Sequence, residues 1–387
     1  MSTFRFHRSF RLSANHLLAL CLALLLITAQ AAGAQDPAQA VSSSPVDRQS
    51  AEAITEYWTP ERLAGAKPMP MPTLDPASKA RESGQTEASA PGPITGLVGS
   101  SGLPGDLPLE EEVSFSELDA PTEFGTYPFS YTRFQLYPIS MYKRLQPHMA
   151  VGKLYFTIPG QGNFVCSGAS INSANRAVIW TAGHCVYSPG IGYHTNVLFA
   201  PGHANGNHHN GTFAAYQLST LTGWANSGLF EWDMGAIVAH RGGLGSPGLL
   251  GDKVGFLGFM FNAPRGQHFH AVGYPAAPRD LNTTPPGPQF DGARQQICAA
   301  AWAVNDDPPG GSGDPNTIGI GCDNTGGASG GPWIVDRSKF GGSTNFITGV
   351  NSYKYGGGPP FSLRMYSPYH GDGAVNLRDA VQGATVP

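Results

Sequence analysis

The chain has 387 residues and a formal net charge of −4, with only 13% of its residues charged. Its 51 glycines and 33 prolines break the apolar residues into short runs, which favours short strands joined by many turns over a helical bundle. Nothing in this balance calls for a nucleic-acid partner.

The N-terminus reads as a secretory signal over residues 1–34. Arg5, Arg8 and Arg11 precede an apolar run from Leu17 to Ile27, and small-residue sites follow at Ala29-Gln30-Ala31 and Ala32-Gly33-Ala34. The run is shorter than the roughly 20 residues that a spanning helix needs, so no membrane association is expected once the signal is gone. A secreted monomer, extracellular or periplasmic, is the expectation. Residues 35–130 form an acidic Pro/Ala/Ser-rich leader with stretches such as Pro68-Met69-Pro70-Met71-Pro72 and Glu110-Glu111-Glu112. Residues 35–125 hold 15 acids and 5 bases, against 12 and 15 in the rest of the chain beyond them. Such a segment cannot build a packed core alone, and it is expected to be largely disordered. A propeptide is favoured over a linker or a surface tether.

Of the five cysteines, Cys21 lies in the signal, which leaves Cys166, Cys185, Cys298 and Cys322. An even number in an exported chain predicts two disulfides. Three pairings are open, and Cys166–Cys185 with Cys298–Cys322 is preferred because each pair falls within one stretch of strands. A zinc site lacks the usual Cys-x-x-Cys spacing.

Strand signals begin beyond residue 125. They fall at 153–158, 167–171, 177–180, 235–239, 254–260, 332–335 and 346–350, and a single helix is expected at 376–381.

Three segments carry chemistry. In Gly326-Gly327-Ala328-Ser329-Gly330-Gly331-Pro332 the glycines permit a tight turn that exposes a serine and aims the amides of Gly327 and Ser329 into one small space, as an oxyanion hole requires. Val178-Ile179-Trp180-Thr181-Ala182-Gly183-His184-Cys185 runs an apolar strand into a histidine that can serve as base and then acid. Glu231-Trp232-Asp233 precedes the apolar run 235–239 and supplies a carboxylate to orient the imidazole; Asp233 is preferred over Glu231 because its shorter side chain has less freedom.

Together these segments, in the order His184, Asp233, Ser329, resemble the trypsin-like (chymotrypsin-fold) secreted serine peptidases, most nearly the bacterial glutamyl endopeptidase (V8-like) branch. The motifs Thr-Ala-Gly-His-Cys and Gly-x-Ser-Gly-Gly-Pro carry the likeness, which covers roughly residues 135–375. It implies an all-β fold of two antiparallel six-stranded barrels (about 135–250 and 251–375) within a peptidase domain over 131–387. The active site would lie in the cleft between the barrels, with a short C-terminal helix. It also implies a bridge beside the histidine, Cys166–Cys185, a polypeptide substrate, and neither cofactor nor metal. Ala328 stands where digestive trypsins keep an activation aspartate, so that activation switch is absent. Asp323 stands six residues before Ser329, where trypsin keeps the aspartate that selects Arg or Lys, but the cysteine pattern around it differs, so the choice between glutamate, a basic residue and another stays open. Asn351 takes the place of the histidine that follows Gly-Val in the glutamyl branch. Asn351, Ser352 and Tyr353 are expected to pair with an extended substrate.

His203, His208 and His209 read as an exposed loop rather than a metal site, and His268 and His270 as partly buried structural residues. Asn210 and Asn282 begin glycosylation sequons. An inactive binding protein on the same fold and an acyl hydrolase or esterase remain the alternatives to an endopeptidase.

Overall fold

The structure is a computed structural model that describes residues 36–45, 49–78, 81–83, 122–278, 290–311, 315–338 and 344–387. The expected signal at 1–34, the acidic run at 110–112 and the Asn282 sequon lie outside the described residues.

Six strands form the first barrel: β1 Val151–Ile158, β2 Gly162–Ser170, β3 Val178–Thr181, β4 Thr195–Pro201, β5 Phe213–Leu221 and β6 Gly235–Ala239. Every neighbouring pair is antiparallel in the order β5-β4-β1-β2-β3-β6, and β6 pairs with β5, so the sheet closes on itself. Closure removes the unpaired edges that a flat sheet would leave. Its interior is filled by Leu154, Phe156, Trp180, Phe199, Phe213 and Ile237, each with essentially no exposure. Burying one such side chain stabilises the fold by about 1.5–3 kcal/mol.

The second barrel uses β7 His268–Gly273, β8 Gln296–Asp307, β9 Thr317–Gly321, β10 Pro332–Val335, β11 Phe346–Val350 and β12 Arg364–Ser367, in the order β11-β10-β7-β8-β9-β12. Its two ends meet just after β11. Tyr353 bridges to Tyr366, and the Val350 amide donates to Ser367 Oγ at 2.9 Å. Ile320, Trp333, Val335, Phe346 and Met365 fill this core. Disulfides join Cys166 to Cys185 in the first barrel and Cys298 to Cys322 in the second, the pairing read from the spacing.

Short helices are more frequent than the sequence patterning implied. A C-terminal helix spans Asp372–Gln382 and presses Leu377 and Val381 onto the first barrel. Five shorter helices are also present among the described residues. The apolar run 254–260, expected to be a strand, is instead the end of the helix Leu250–Val254 followed by the two-residue strand Gly258–Phe259. A short continuous apolar run does not distinguish the two.

The described part of the leader builds no core of its own and borrows the body's. Val41–Ser43 pairs antiparallel with β5. The helix Ala51–Tyr57, capped by Ser50, lays Ile54 and then Trp58 against Tyr155 and Leu198, and Trp58 Nε1 donates to Asn196 O at 2.6 Å. Lys67–Pro68 pairs with β2, Thr73–Leu74 pairs with Lys354–Tyr355, and Arg81–Ser83 pairs with β8.

The loop that holds His203 is not exposed as expected: His203 is 3% accessible and packs edge-on against Tyr155 and Tyr274. Asn210 donates to Tyr142 O at 2.9 Å, so the nitrogen of its sequon is engaged inside the fold. His268 is exposed and His270 half-buried, their rings 5.4 Å apart.

Several histidines are held neutral by burial. His148 is pushed down to about 3, His194 to about 4 and His370 to about 3, in each case chiefly by desolvation. These values lie below the roughly 6.5 of an unfolded histidine, so between the two the unfolded chain binds more protons. Stability is therefore fully present above about pH 6.5 and declines as pH falls, by about 1.4 kcal/mol per pH unit for each such histidine. Calorimetry between pH 7.5 and 4.5 is expected to show a Tm that falls steadily below pH 6.5; a flat Tm over that range would contradict the buried neutral state.

Candidate active site

The strand β3 ends at Thr181, and Ala182 leads into a tight 3-10 turn, Gly183–Cys185, that presents His184. Glycine is required here because a Cβ at 183 would sit 2.8 Å from the Trp224 ring and 2.9 Å from Thr220 Oγ1. The neighbouring Cys185 is tied to β2 through Cys166, which fixes the turn from its other side.

Asp233 follows the 3-10 turn Phe230–Trp232 and enters β6. Its carboxylate is fully buried and accepts three hydrogen bonds. The His184 amide reaches Oδ1 at 2.7 Å, the His184 imidazole at Nδ1 reaches Oδ2 at 2.8 Å, and Ser352 Oγ donates to Oδ2 at 2.5 Å. A proton on Nδ1 leaves Nε2 with its lone pair. Nε2 is buried and has no hydrogen-bond partner among the described residues. Glu231, the other candidate carboxylate, is buried beside Gly311 rather than at the imidazole.

The Gly326–Gly331 turn, from the second barrel, packs Gly330 against Thr181 and Ala182, just ahead of His184. Gly327 adopts φ +93° and Gly330 φ +75°, both unfavourable for a side chain, and a Cβ at 330 would run into Thr181 Oγ1 and lie 2.6 Å from Ser167 O. The turn is thus packed directly on the strand that delivers His184. Ser167, on β2, stitches the two barrels there. Its amide donates to Ser329 O at 2.7 Å, its hydroxyl to Gly327 O at 2.9 Å, and the same hydroxyl accepts from the Tyr274 amide at 2.9 Å.

The expected substrate-binding residues take distinct places. The Asn351 side chain is consumed internally: its Nδ2 donates to Val272 O and Ala328 O, and its Oδ1 accepts from Trp333 Nε1. It braces the turn behind Ser329. Ser352 holds Asp233, a role the sequence did not signal. Tyr353 is buried, stacked on Tyr366 at 5.0 Å, and donates to Asp306 Oδ2 at 2.6 Å. The Asp323 carboxylate forms an ion pair with Arg133 at 2.5 Å, both side chains buried. Nearby, Lys354 Nζ donates to Cys322 O and Ser362 O; burial brings its pKa down to about 7, with Asp323 pulling the other way.

The leader also enters this site, which the sequence pattern gave no sign of. The Gly327 amide donates to Met69 O at 3.1 Å, and Ser329 Oγ donates to Met71 Sδ at 3.6 Å.

No protein-family model matches the chain. Among solved structures, it is similar to the protease Anisep from Arthrobacter nicotinovorans at 36% identity and a TM-score of 0.51, covering 62% of this chain and 97% of that one. A thermostable serine protease, AL20, from an extremophilic microorganism is 33% identical with a TM-score of 0.51, covering 61% and 99%. A curated relative, an extracellular metalloprotease of Bacillus subtilis (strain 168), is 28% identical over 205 residues, 51% of this chain. The chain spans 58% of the length of that relative.

The relative's name raises the question of a metal centre. Among the described residues one group, Cys166, His184 and Cys185, brings possible ligand atoms within 4.8 Å of one another. Its two sulfurs are joined to each other and His184 Nδ1 is bonded to Asp233, so one imidazole nitrogen remains where a zinc site needs three or four donors.

Replacing Ser352 by alanine removes one of the three donors to Asp233 while leaving His184 and Ser329 in place. A hydrogen bond to a charged group contributes about 1.5–3 kcal/mol, so kcat should fall by about tenfold or more with KM little changed. An unaltered kcat on a chromogenic peptide would show that Ser352 does not position the carboxylate.

Proposed function

The chain belongs to the trypsin-like (chymotrypsin-fold) serine peptidases, with the sequence pattern of their bacterial V8-like branch, and on that premise we propose that it is a secreted serine endopeptidase, made as a zymogen. The observation that carries this reading is the buried Asp233 carboxylate holding His184 Nδ1 at 2.8 Å, which leaves Nε2 as the basic nitrogen beside the Ser329 turn.

In this reading His184 Nε2 takes the Ser329 proton as Oγ attacks the carbonyl carbon of a polypeptide. The negative oxygen that forms is held by the amides of Gly327 and Ser329. Such donors contribute about 3–4 kcal/mol each to the transition state. His184 then hands the proton to the leaving nitrogen, the amine departs, and the acyl group stays on Ser329. Water, deprotonated by the same imidazole, attacks that ester, and the imidazolium returns the proton to Ser329 Oγ as the acid leaves. Asp233 orients the imidazole and stabilises the imidazolium; these roles follow the chymotrypsin template.

Export is supported by the signal pattern, by the two disulfides, and by the extracellular character of the curated relative. No helix among the described residues is long and apolar enough to cross a membrane. The acidic leader over 35–130 is read as the propeptide, and its docking on the body supports that choice over a loose tether.

Substrate preference follows from Asp323. Its partner Arg133 already answers its charge, so a basic substrate side chain finds no uncompensated carboxylate there. Profiling the leader-free enzyme on a peptide library is expected to give cleavage that the Ser329→Ala variant loses by at least about a thousandfold, with Lys and Arg not enriched before the scissile bond. Cleavage that survives in Ser329→Ala would overturn the mechanism, and a tryptic profile would overturn the Asp323 assignment.

A further inference from the structure

The catalytic chemistry fixes the direction in which a productive substrate must cross this cleft. The leaving nitrogen has to receive its proton from His184, which belongs to the first barrel and is tied by Cys185–Cys166 to β2. The leaving half of the substrate, C-terminal to the scissile bond, therefore runs toward β2. The acyl half, N-terminal to that bond, lies on the side of the second barrel, along the Ser352–Gly356 edge.

The leader crosses the same cleft the other way. Lys67–Pro68, its upstream end, pairs with Phe164–Val165 of β2, and the Met69 amide donates to Val165 O at 2.9 Å. Thr73–Leu74, its downstream end, pairs with Lys354–Tyr355; the Lys354 amide donates to Pro72 O at 3.0 Å and the Gly356 amide to Leu74 O at 2.8 Å. Both pairings are parallel. Between them the Met69 carbonyl takes the Gly327 amide, while the Met71 thioether takes the Ser329 hydroxyl, leaving His184 Nε2 without a partner among the described residues.

We infer that residues 67–74 of the leader are a resident ligand of the substrate cleft, bound in the direction opposite to a substrate, so that they block Ser329 without being cut by it. The inference rests on the peptidase reading above. In this orientation the nitrogen of the bond whose carbonyl meets Gly327 points away from His184's side of the cleft, and no proton can be delivered to it. The alternating prolines add a second barrier: Pro70 and Pro72 make the Met69–Pro70 and Met71–Pro72 bonds tertiary amides. They also restrict the free segment toward extended conformations, which lowers the entropy lost on seating it. The docked stretches 41–43 and 51–58 anchor the ligand from upstream on β5 and the outer face of the first barrel.

The test uses the full-length chain and a fluorophosphonate probe for Ser329. Wild type is expected to label about a hundredfold more slowly than the same protein after an added protease has digested the leader, since labelling tracks the fraction of open cleft. Met71→Ala should speed labelling about tenfold on the same basis. Pro70→Ala, which replaces the tertiary amide with an ordinary bond, should remain uncut between residues 69 and 70 by intact-mass spectrometry, because direction rather than proline protects it. Ser329-dependent cutting there would show that the leader lies in the substrate sense and overturn the inference. So would a full-length chain that labels as fast as the digested one. Hydrogen exchange gives a readout without variants: the Gly327 and Lys354 amides should be protected in the full chain and exposed once the leader is gone, and unchanged exchange would count against it. A digested enzyme that neither labels at Ser329 nor cleaves peptides would instead sink the peptidase reading itself.

Discussion

The buried carboxylate of Asp233 is the constraint on which the rest of the molecule depends. An unpaired charge in a dry interior costs several kcal/mol, so the fold must surround it with donors or lose it. Two of those donors come from His184 on the first barrel, and the third, Ser352, comes from the second. One oxygen pair thus sets the ring orientation of the imidazole, its tautomer, and the relative placement of the two barrels at the cleft. The same logic explains why closed barrels suit this site: strand ends held on all sides place three side chains from remote parts of the chain with little freedom left to each.

Around that carboxylate, the cleft is built from backbone more than from side chains. The Ser329 turn is held by Ser167 and Asn351, whose polar atoms meet main-chain groups in and around the turn, and the nearby edge at Lys354 and Gly356 offers amides. A surface of unpaired amides binds extended chain with little regard to sequence. It is therefore open to any extended segment tethered nearby, and the leader takes the position a substrate would. Its packing by Ile54 and Trp58 on the outer face of the first barrel makes that occupation intramolecular, where effective concentration favours the closed form. On the proposed peptidase reading, restraint of the enzyme until the leader is released is part of the same physical arrangement.

How much of this was legible in the sequence depended on how local the signal was. The strands 235–239, 332–335 and 346–350 were read with their observed limits, because each is a short apolar run between turn residues. The His184 and Ser329 segments declared themselves for the same reason: glycine and small residues at fixed offsets need no distant partner to be recognised. The longer strands 213–221 and 296–307 were not anticipated, since their polar and small residues weaken the alternation. The docking of Met71 on Ser329 spans 258 positions, Arg133 meets Asp323 across 190, and Ser352 meets Asp233 across 119. Contacts of that kind depend on the folded path of the chain, and no window of sequence carries them. The alternating prolines and methionines of 68–72 were visible only as composition, though their extended bias was the physical clue to a strand-like ligand.

In the proposed mechanism Ser329, His184 and Asp233 act as one unit that passes an acyl group through the serine. The most direct measurement is the intact mass of the leader-free enzyme after brief exposure to an activated ester at low pH, followed by mapping of the adduct. One acyl group per molecule is expected, on the peptide containing Ser329, and none in the His184→Ala variant. Turnover without any adduct, or an adduct that forms elsewhere and persists in His184→Ala, would contradict it.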